Sequence, residues 1–471
     1  MSLDPHLLKR FGEIVGHRNA LAAPLDLSRY TVENRGLFPG TTPLVLKPGS
    51  TGEVAAIVKL AAETGTALVP QGGNTGHAAG ATPDMSGEQI VVSMERMNAI
   101  REIDVAGATM TVEAGVILQV IQQRAEENNL LFPLSLASQG SCQIGGNIST
   151  NAGGTAVLAF GSTRDLVLGL EVVLPDGNVW NGLRKLKKDN TGYSLRNLFI
   201  GGEGTLGIVT AAVLKLFPRP AGREVAFAGV ESPEKALALL NLAQRIGGNA
   251  LTSFELMPRI GIEFVLRHGN GQRDPLESPY PWYVLAEVSS GRSQEDASGL
   301  AEGIFGEAIE VGLVKDAVIA GSIARQRELW AIRETLPGAQ KPEGGSIKHD
   351  ISVPVHAVPE FLERAGKIVE RELPGSRVVA FGHMGDGNIH YNISQPEGAD
   401  TAEFMTNRLA INDAIHALVL SMDGSISAEH GIGQMKRDML AATKSSEELE
   451  LMRRIKAAID PRGIMNPGKM L

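Results

Sequence analysis

Between Ala137 and Thr155 the chain reads ASQGSCQIGGNISTNAGGT, a run of small residues without a single charge. A flexible linker normally carries proline, charge or regular Ser/Gly repeats. This run instead contains Ile144 and Ile148 and is bounded by segments with regular apolar patterns. Long uncharged stretches of small side chains are what a flat ring system needs when peptide backbone must lie against it. The run therefore argues for a fold built around a bound planar group.

A second glycine-rich segment, Gln71 to Gly80, follows a short strand at Ala67 to Pro70. Without a Cβ, successive N–H groups turn toward one phosphate and form a nest. Gly202 to Gly207 reads GEGTLG and matches the dinucleotide fingerprint GxGxxG to the letter. That fingerprint needs a helix N-terminus at the pyrophosphate. Here Val209 to Phe217 follows, apolar and β-branched, so a strand is expected and a nicotinamide-type Rossmann site is rejected.

At 471 residues two or three domains are expected. The net charge of −9 argues against a nucleic-acid partner. The basic run Arg184, Lys185, Lys187, Lys188 reads as a solvated loop, with docking of an acidic partner as the alternative. Cys142 is the sole cysteine, which excludes an intrachain disulfide and four-cysteine zinc sites. With no signal peptide visible, a reducing, cytoplasmic setting is expected. No run approaches the roughly 20 apolar residues of a membrane span.

Ser50 to Glu53 reads as a capping box for a helix with Val54, Ile57, Val58 and Ala61 on one face, ended by Gly65. Leu166–Leu174 and Asn178–Trp180 form a hairpin around Pro175-Asp176-Gly177. Beyond Pro218-Arg219-Pro220 the rhythm changes to strand–helix–strand. Strands are expected at Val225–Val230, Leu251–Met257, Trp282–Val288 and Ala308–Val314, with helices at Pro233–Gly247 and Gln294–Phe305. This is a split β-α-β pattern: an antiparallel sheet with helices on one face. Two further helices, about Thr401–Met422 and Ser445–Ile459, lead to the C-terminal tail. The boundaries are set at 1–218, 219–415 and 416–471.

The most chemical segment is FGHMGDGNIHYNIS, in which His383 and His390 flank a Gly-Asp-Gly turn that aims both imidazoles at one site. His390 and Asn392 share a strand face. Ser427-Ala-Glu-His-Gly431 adds adjacent Glu429 and His430. Two imidazoles and a carboxylate leave open positions on a divalent ion, as a catalytic site requires. In LWAIRETLPGAQKPEGGSIKHD, Arg333 offers two parallel hydrogen bonds to a carboxylate, and Lys348 is a second cation. A metal-dependent hydrolase, with the glycine loop holding a phosphorylated substrate, is the alternative these residues leave open.

The motifs GGNTG (Gly72 to Gly76), IGGNISTNAGG (Ile144 to Gly154), GSTRD (Gly161 to Asp165), GGEGTLGIVT (Gly201 to Thr210) and NPGK (Asn466 to Lys469) occur in one order. Together they resemble FAD-linked oxidoreductases of the vanillyl-alcohol-oxidase type. HxGDGNxH and the EHG segment resemble the D-2-hydroxyglutarate and D-lactate dehydrogenase branch of that family. The resemblance implies an α+β chain: a two-subdomain, non-Rossmann FAD-binding domain, a ferredoxin-like antiparallel-sheet substrate (cap) domain, and C-terminal helices returning to the FAD domain. It implies FAD-dependent oxidation of a D-2-hydroxy acid to the 2-oxo acid, with hydride passing to flavin.

Carried over, Gly72, Gly73, Asn74, Thr75, Gly145, Gly146, Asn147, Glu203, Ile208 and Asn466 face the cofactor. His383, His390 and Glu429 hold a divalent metal, with zinc expected first and manganese fitting the same ligands. His430 acts as base, and Arg333, Lys348 and Asn392 bind substrate. Relatives that attach flavin covalently use a histidine directly after two glycines. That position is Asn74 here, so FAD is expected to be non-covalent and His77 an ordinary loop residue. Relatives also place a hydroxyl residue one turn after the arginine, where this chain has Pro337. An electron acceptor, whether quinone, electron-transfer flavoprotein or cytochrome, is implied but not named, and a homodimer is compatible.

Overall fold

The computed structural model describes residues 3–33 and 35–471. The chain divides into two compact units: 1–153, 162–218 and 429–471 form the first, and 154–161 with 219–428 the second.

In the first unit a four-stranded sheet runs Ala20–Leu21, Val45–Leu46, Gln89–Ser93, Ala67–Gln71, with its last three strands parallel. The helix Thr51–Thr64 covers it, and its caps follow the sequence. The Ser50 hydroxyl accepts from the Glu53 N–H at 3.2 Å, and Gly65 stops the helix at φ +71°. Val54, Ile57, Val58 and Ala61 are buried beneath it. A second, antiparallel sheet runs Ile100–Asp104, Thr109–Glu113, Ile208–Lys215, Val167–Val173, Val179–Gly182. GEGTLG thus opens onto a strand, Ile208–Lys215, and not a helix, which removes the Rossmann reading. The tail returns to the first sheet: Leu68 N–H donates to the Ile464 carbonyl and Asn466 N–H to the Leu68 carbonyl, both at 2.8 Å.

The small-residue run is not uniformly irregular. Ile144–Thr150 coils into a short helix, with Ile144 and Ile148 buried. Gly145 lies so close to the neighbouring chain that a Cβ there would come within 2.7 Å of the Ala114 Cβ.

The second unit holds a seven-stranded antiparallel sheet, ordered Asp316–Ile319, Gly222–Val230, Trp282–Ser290, Leu251–Pro258, Arg377–His383, Asn388–Ser394, Ser346–Ser352. Its first four strands have the ferredoxin-like order 4-1-3-2. Helices cover both faces, not one. Ala226, Ala228 and Val230 pack with the helices Pro233–Gly247 and Gln294–Glu310. The alternate residues Val225 and Phe227 pack with Ile262 and Val265 of Arg259–His268 and with Leu329 and Leu336 of Ile323–Ala339. A sheet covered twice explains why its strands read as continuous apolar runs.

Two boundaries differ from the expected ones. The helix Gln294 to Glu310 overruns the strand expected at Ala308–Val314, and the strand is Asp316–Ile319. The helical spacing of buried Ala297, Ala301, Ile304, Phe305 and Ala308 prevails over the local apolar run until Gly312, at φ +70°. The return to the first unit starts at Glu429, not at 416. Ile411, Ile415, Leu418 and Val419 of the helix Arg408–Ser421 are buried in the second unit's core and keep that segment there.

Candidate functional site

In the first unit the glycine loop, the Ile144–Thr150 helix and the 203–209 segment surround a cleft. Gly72, Gly73, Asn74, Thr75, Gly145, Gly146, Asn147, Glu203 and Ile208 line it, and so does His430. Gly73 permits the close turn: a Cβ there would sit 2.2 Å from the Ser141 carbonyl oxygen. Asn74 holds φ +53° and ties its amide back to the carbonyls of Arg29 and Val32 at 3.2 and 2.9 Å. A Cβ on Gly76 or Gly146 would meet nothing within 4 Å. Gln143 Oε1 and Asn147 Oδ1 are buried without a hydrogen-bond partner. Bare backbone and waiting polar atoms are what a flavin dinucleotide requires, so the residues present fit FAD.

Two expected cofactor residues work as struts. The Glu203 carboxylate accepts from the Ile432 and Gly433 N–H groups, both at 2.7 Å, and burial raises its pKa. Asn466 does not line the cleft. Its amide donates to the carbonyls of Gly80 and Glu203 at 2.9 and 2.7 Å, which binds the tail to both lining segments. Glu203 thereby fixes the segment that carries His430. The His430 Nε2 lies 3.9 Å from the Glu429 carboxylate. His77, expected to be an ordinary loop residue, sits edge-on to His430 with ring centroids 4.8 Å apart.

The basic run lies in an exposed loop, where Lys185 pairs with Glu102 at 2.5 Å and Asp104 at 3.5 Å.

In the second unit one sheet face gathers the other expected residues. His383 ends the strand Arg377–His383, and the turn through Gly385-Asp386-Gly387 leads into Asn388–Ser394. The His383 and His390 rings lie 5.5 Å apart at 80°. Register pairs His390 with Asp350 and Asn392 with Lys348 across the neighbouring strand, which puts all four on that face. The Asn392 amide donates to Gln340 Oε1 at 3.0 Å, and His390 Nδ1 is 3.9 Å from Asp350 Oδ1. Burial pushes the Asp386 carboxyl up to about 6.

Arg333 rises from the helix Ile323–Ala339 and stacks over Phe381 at 4.7 Å. Its Nε donates to Glu255 Oε2 at 2.6 Å, while Glu255 Oε1 meets His383 Nδ1 at 2.5 Å. Glu255 is fully buried. Burial by itself would raise its pKa, but His383 and Arg333 outweigh that and hold it down at about 2. The bonds of Arg333 engage Nε and leave the terminal guanidinium nitrogens as a fork for a carboxylate. His349 faces the other way: its Nδ1 meets the Tyr391 carbonyl at 2.9 Å and its ring packs against His416.

Glu255, Gln340 and Asp350 are the residues the sequence did not single out. None belongs to a recognisable spacing, and Glu255 is 128 positions from His383.

Residues 42–182 match the FAD binding domain model, and residues 219–470 match the model described as FAD linked oxidases, C-terminal domain. The chain is 39% identical over 451 residues to the mitochondrial D-2-hydroxyglutarate dehydrogenase of Bos taurus, covering 95% of this chain and 80% of that one. It is 37% identical to the D-2-hydroxyglutarate dehydrogenase of Stutzerimonas stutzeri, covering 99% of each. Among solved structures, p-cresol methylhydroxylase superposes with TM-score 0.79 at 16% identity over 99% of this chain and 96% of that one. 4-Ethylphenol oxidase from Gulosibacter chungangensis gives 0.74 at 20% identity, with 99% and 96% covered. At such identities the superpositions speak for the fold alone, and that fold is the vanillyl-alcohol-oxidase type. The hydrolase alternative finds no counterpart among these relatives. With both domain models matched and the curated relatives aligned over nearly its whole length, the chain belongs to the FAD-linked oxidase family.

Proposed function

We infer that the chain oxidises D-2-hydroxyglutarate to the 2-oxo acid on a cation site formed by His383, His390 and Glu429, with His430 as base. At the coarser level it is an FAD-dependent 2-hydroxy acid dehydrogenase. The observation that carries the finer reading is the sheet face that bears Lys348, His383, His390 and Asn392, with Arg333 reaching Glu255 and Phe381 from the helix Ile323–Ala339. A dicarboxylate makes use of two separate cations, the Arg333 fork and the Lys348 ammonium, whereas lactate has one carboxylate to offer. Chain continuity supports the part given to Glu429. The Ala428 N–H donates to the Asp350 carbonyl at 3.3 Å, and Glu429 is the next residue.

When bound, FAD supplies the acceptor for the hydride leaving Cα. A divalent cation supplies acidity, lowering the pKa of the hydroxyl it touches. The protein's residues do the rest. Arg333 fixes one carboxylate through two parallel hydrogen bonds, and Lys348 answers the other. Asn392, held by Gln340, offers its amide to the substrate. His430 takes the hydroxyl proton on a ring nitrogen.

Anaerobic mixing with single 2-hydroxy acids tests the reading. D-2-hydroxyglutarate is expected to bleach the flavin absorption, and its L enantiomer is not. Faster bleaching by D-lactate than by D-2-hydroxyglutarate contradicts the choice of substrate.

A further inference from the structure

Glu255 lies in the strand Leu251–Pro258, in register with His383, without solvent exposure. Its two oxygens serve two different groups: Oε1 meets His383 Nδ1 at 2.5 Å and Oε2 accepts from Arg333 Nε at 2.6 Å. Burying a carboxylate costs several kcal/mol unless its partners are well placed. An apolar residue would fill the same space without that cost. Both partners belong to the functional reading above, one as cation ligand and the other as carboxylate clamp.

We propose that Glu255 is a positioning residue that fixes the tautomer of His383 and the set of the Arg333 fork with one carboxylate. Accepting the Nδ1 proton puts the lone pair on His383 Nε2, the form in which imidazole ligates a cation. Holding Arg333 by Nε, with its guanidinium carbon 4.7 Å from the centre of the Phe381 ring, leaves the other two nitrogens for an incoming carboxylate. Cation affinity and substrate affinity are thereby coupled through one side chain that touches neither. The inference rests on the proposed roles of His383 and Arg333.

The test uses the full FAD-loaded chain stripped of cations, with Zn²⁺ as titrant. Glu255→Gln keeps the shape and removes the charge. It is expected to weaken Zn²⁺ binding by about 10- to 100-fold. At saturating Zn²⁺ it should raise the KM for D-2-hydroxyglutarate about tenfold, with kcat less affected. Glu255→Asp keeps the charge and should recover part of both effects. A residue that merely supports the fold would lower the melting temperature without that split. Zn²⁺ affinity and KM both within about twofold of wild type in Glu255→Gln overturn the proposal.

Should Glu255→Gln fail to fold, ring-nitrogen NMR of histidine-labelled wild-type protein decides. The proton of His383 is expected on Nδ1 before any cation is added, and a proton on Nε2 overturns the proposal. These readouts stand apart from the substrate assignment. Wild-type enzyme that no 2-hydroxy acid bleaches contradicts the function, while the His383 tautomer still judges Glu255.

Discussion

Replacing His430 with asparagine is expected to lower kcat about 1000-fold, the scale of a lost general base. The protein should remain yellow. His430 lines the cleft, but the polar atoms that await the dinucleotide belong to Gln143, Asn147 and the glycine backbone. The neighbouring segment is fixed independently by Glu203, which grips the Ile432 and Gly433 N–H groups. KM should therefore move little, and stopped-flow bleaching should isolate the loss in the reductive half-reaction. A variant that bleaches at the wild-type rate removes His430 from the chemistry.

Arg333→Leu is expected to fail differently. Removing a desolvated charge from opposite a substrate carboxylate costs about 4 kcal/mol, roughly a 1000-fold fall in kcat/KM, and most of it should appear in KM. The substitution also strands Glu255, whose remaining partner is His383. Losing one half of a buried ion pair typically costs about 3 kcal/mol, so thermal denaturation should show a lowered melting temperature. Arg333→Lys keeps the charge but loses the planar fork and should fall between the two. Unchanged KM in a folded Arg333→Leu protein contradicts the clamp.

Much of this was legible because some local rules go unopposed. Ser50 and Gly65 bracket a helix whatever surrounds it, and the β-branched run after GEGTLG could not continue as a helix. His383 and His390 were readable because a tight turn with alternating side chains fixes both directions. What stayed hidden depends on tertiary placement. The short helix Arg259–His268 offers few turns of periodicity, and its buried Ile262 and Val265 find their place only on the second sheet face. Glu255 sits in a strand whose every residue is buried, where a lone acid looks like an exception until Arg333 and His383 arrive from distant segments. Ile144–Thr150 was read for its smallness, which is right for a cofactor wall, but its helical turns come from packing on Ala114 and its neighbours.

The pairing of flavin with a cation on one hydroxy acid is tested most directly by chelation. FAD-loaded enzyme treated with chelator should keep its yellow colour, yet D-2-hydroxyglutarate should reduce it at least about 100-fold more slowly, and added Zn²⁺ or Mn²⁺ should restore the rate. Bleaching at full rate in verified cation-free protein would mean that His383, His390 and Glu429 serve some other purpose.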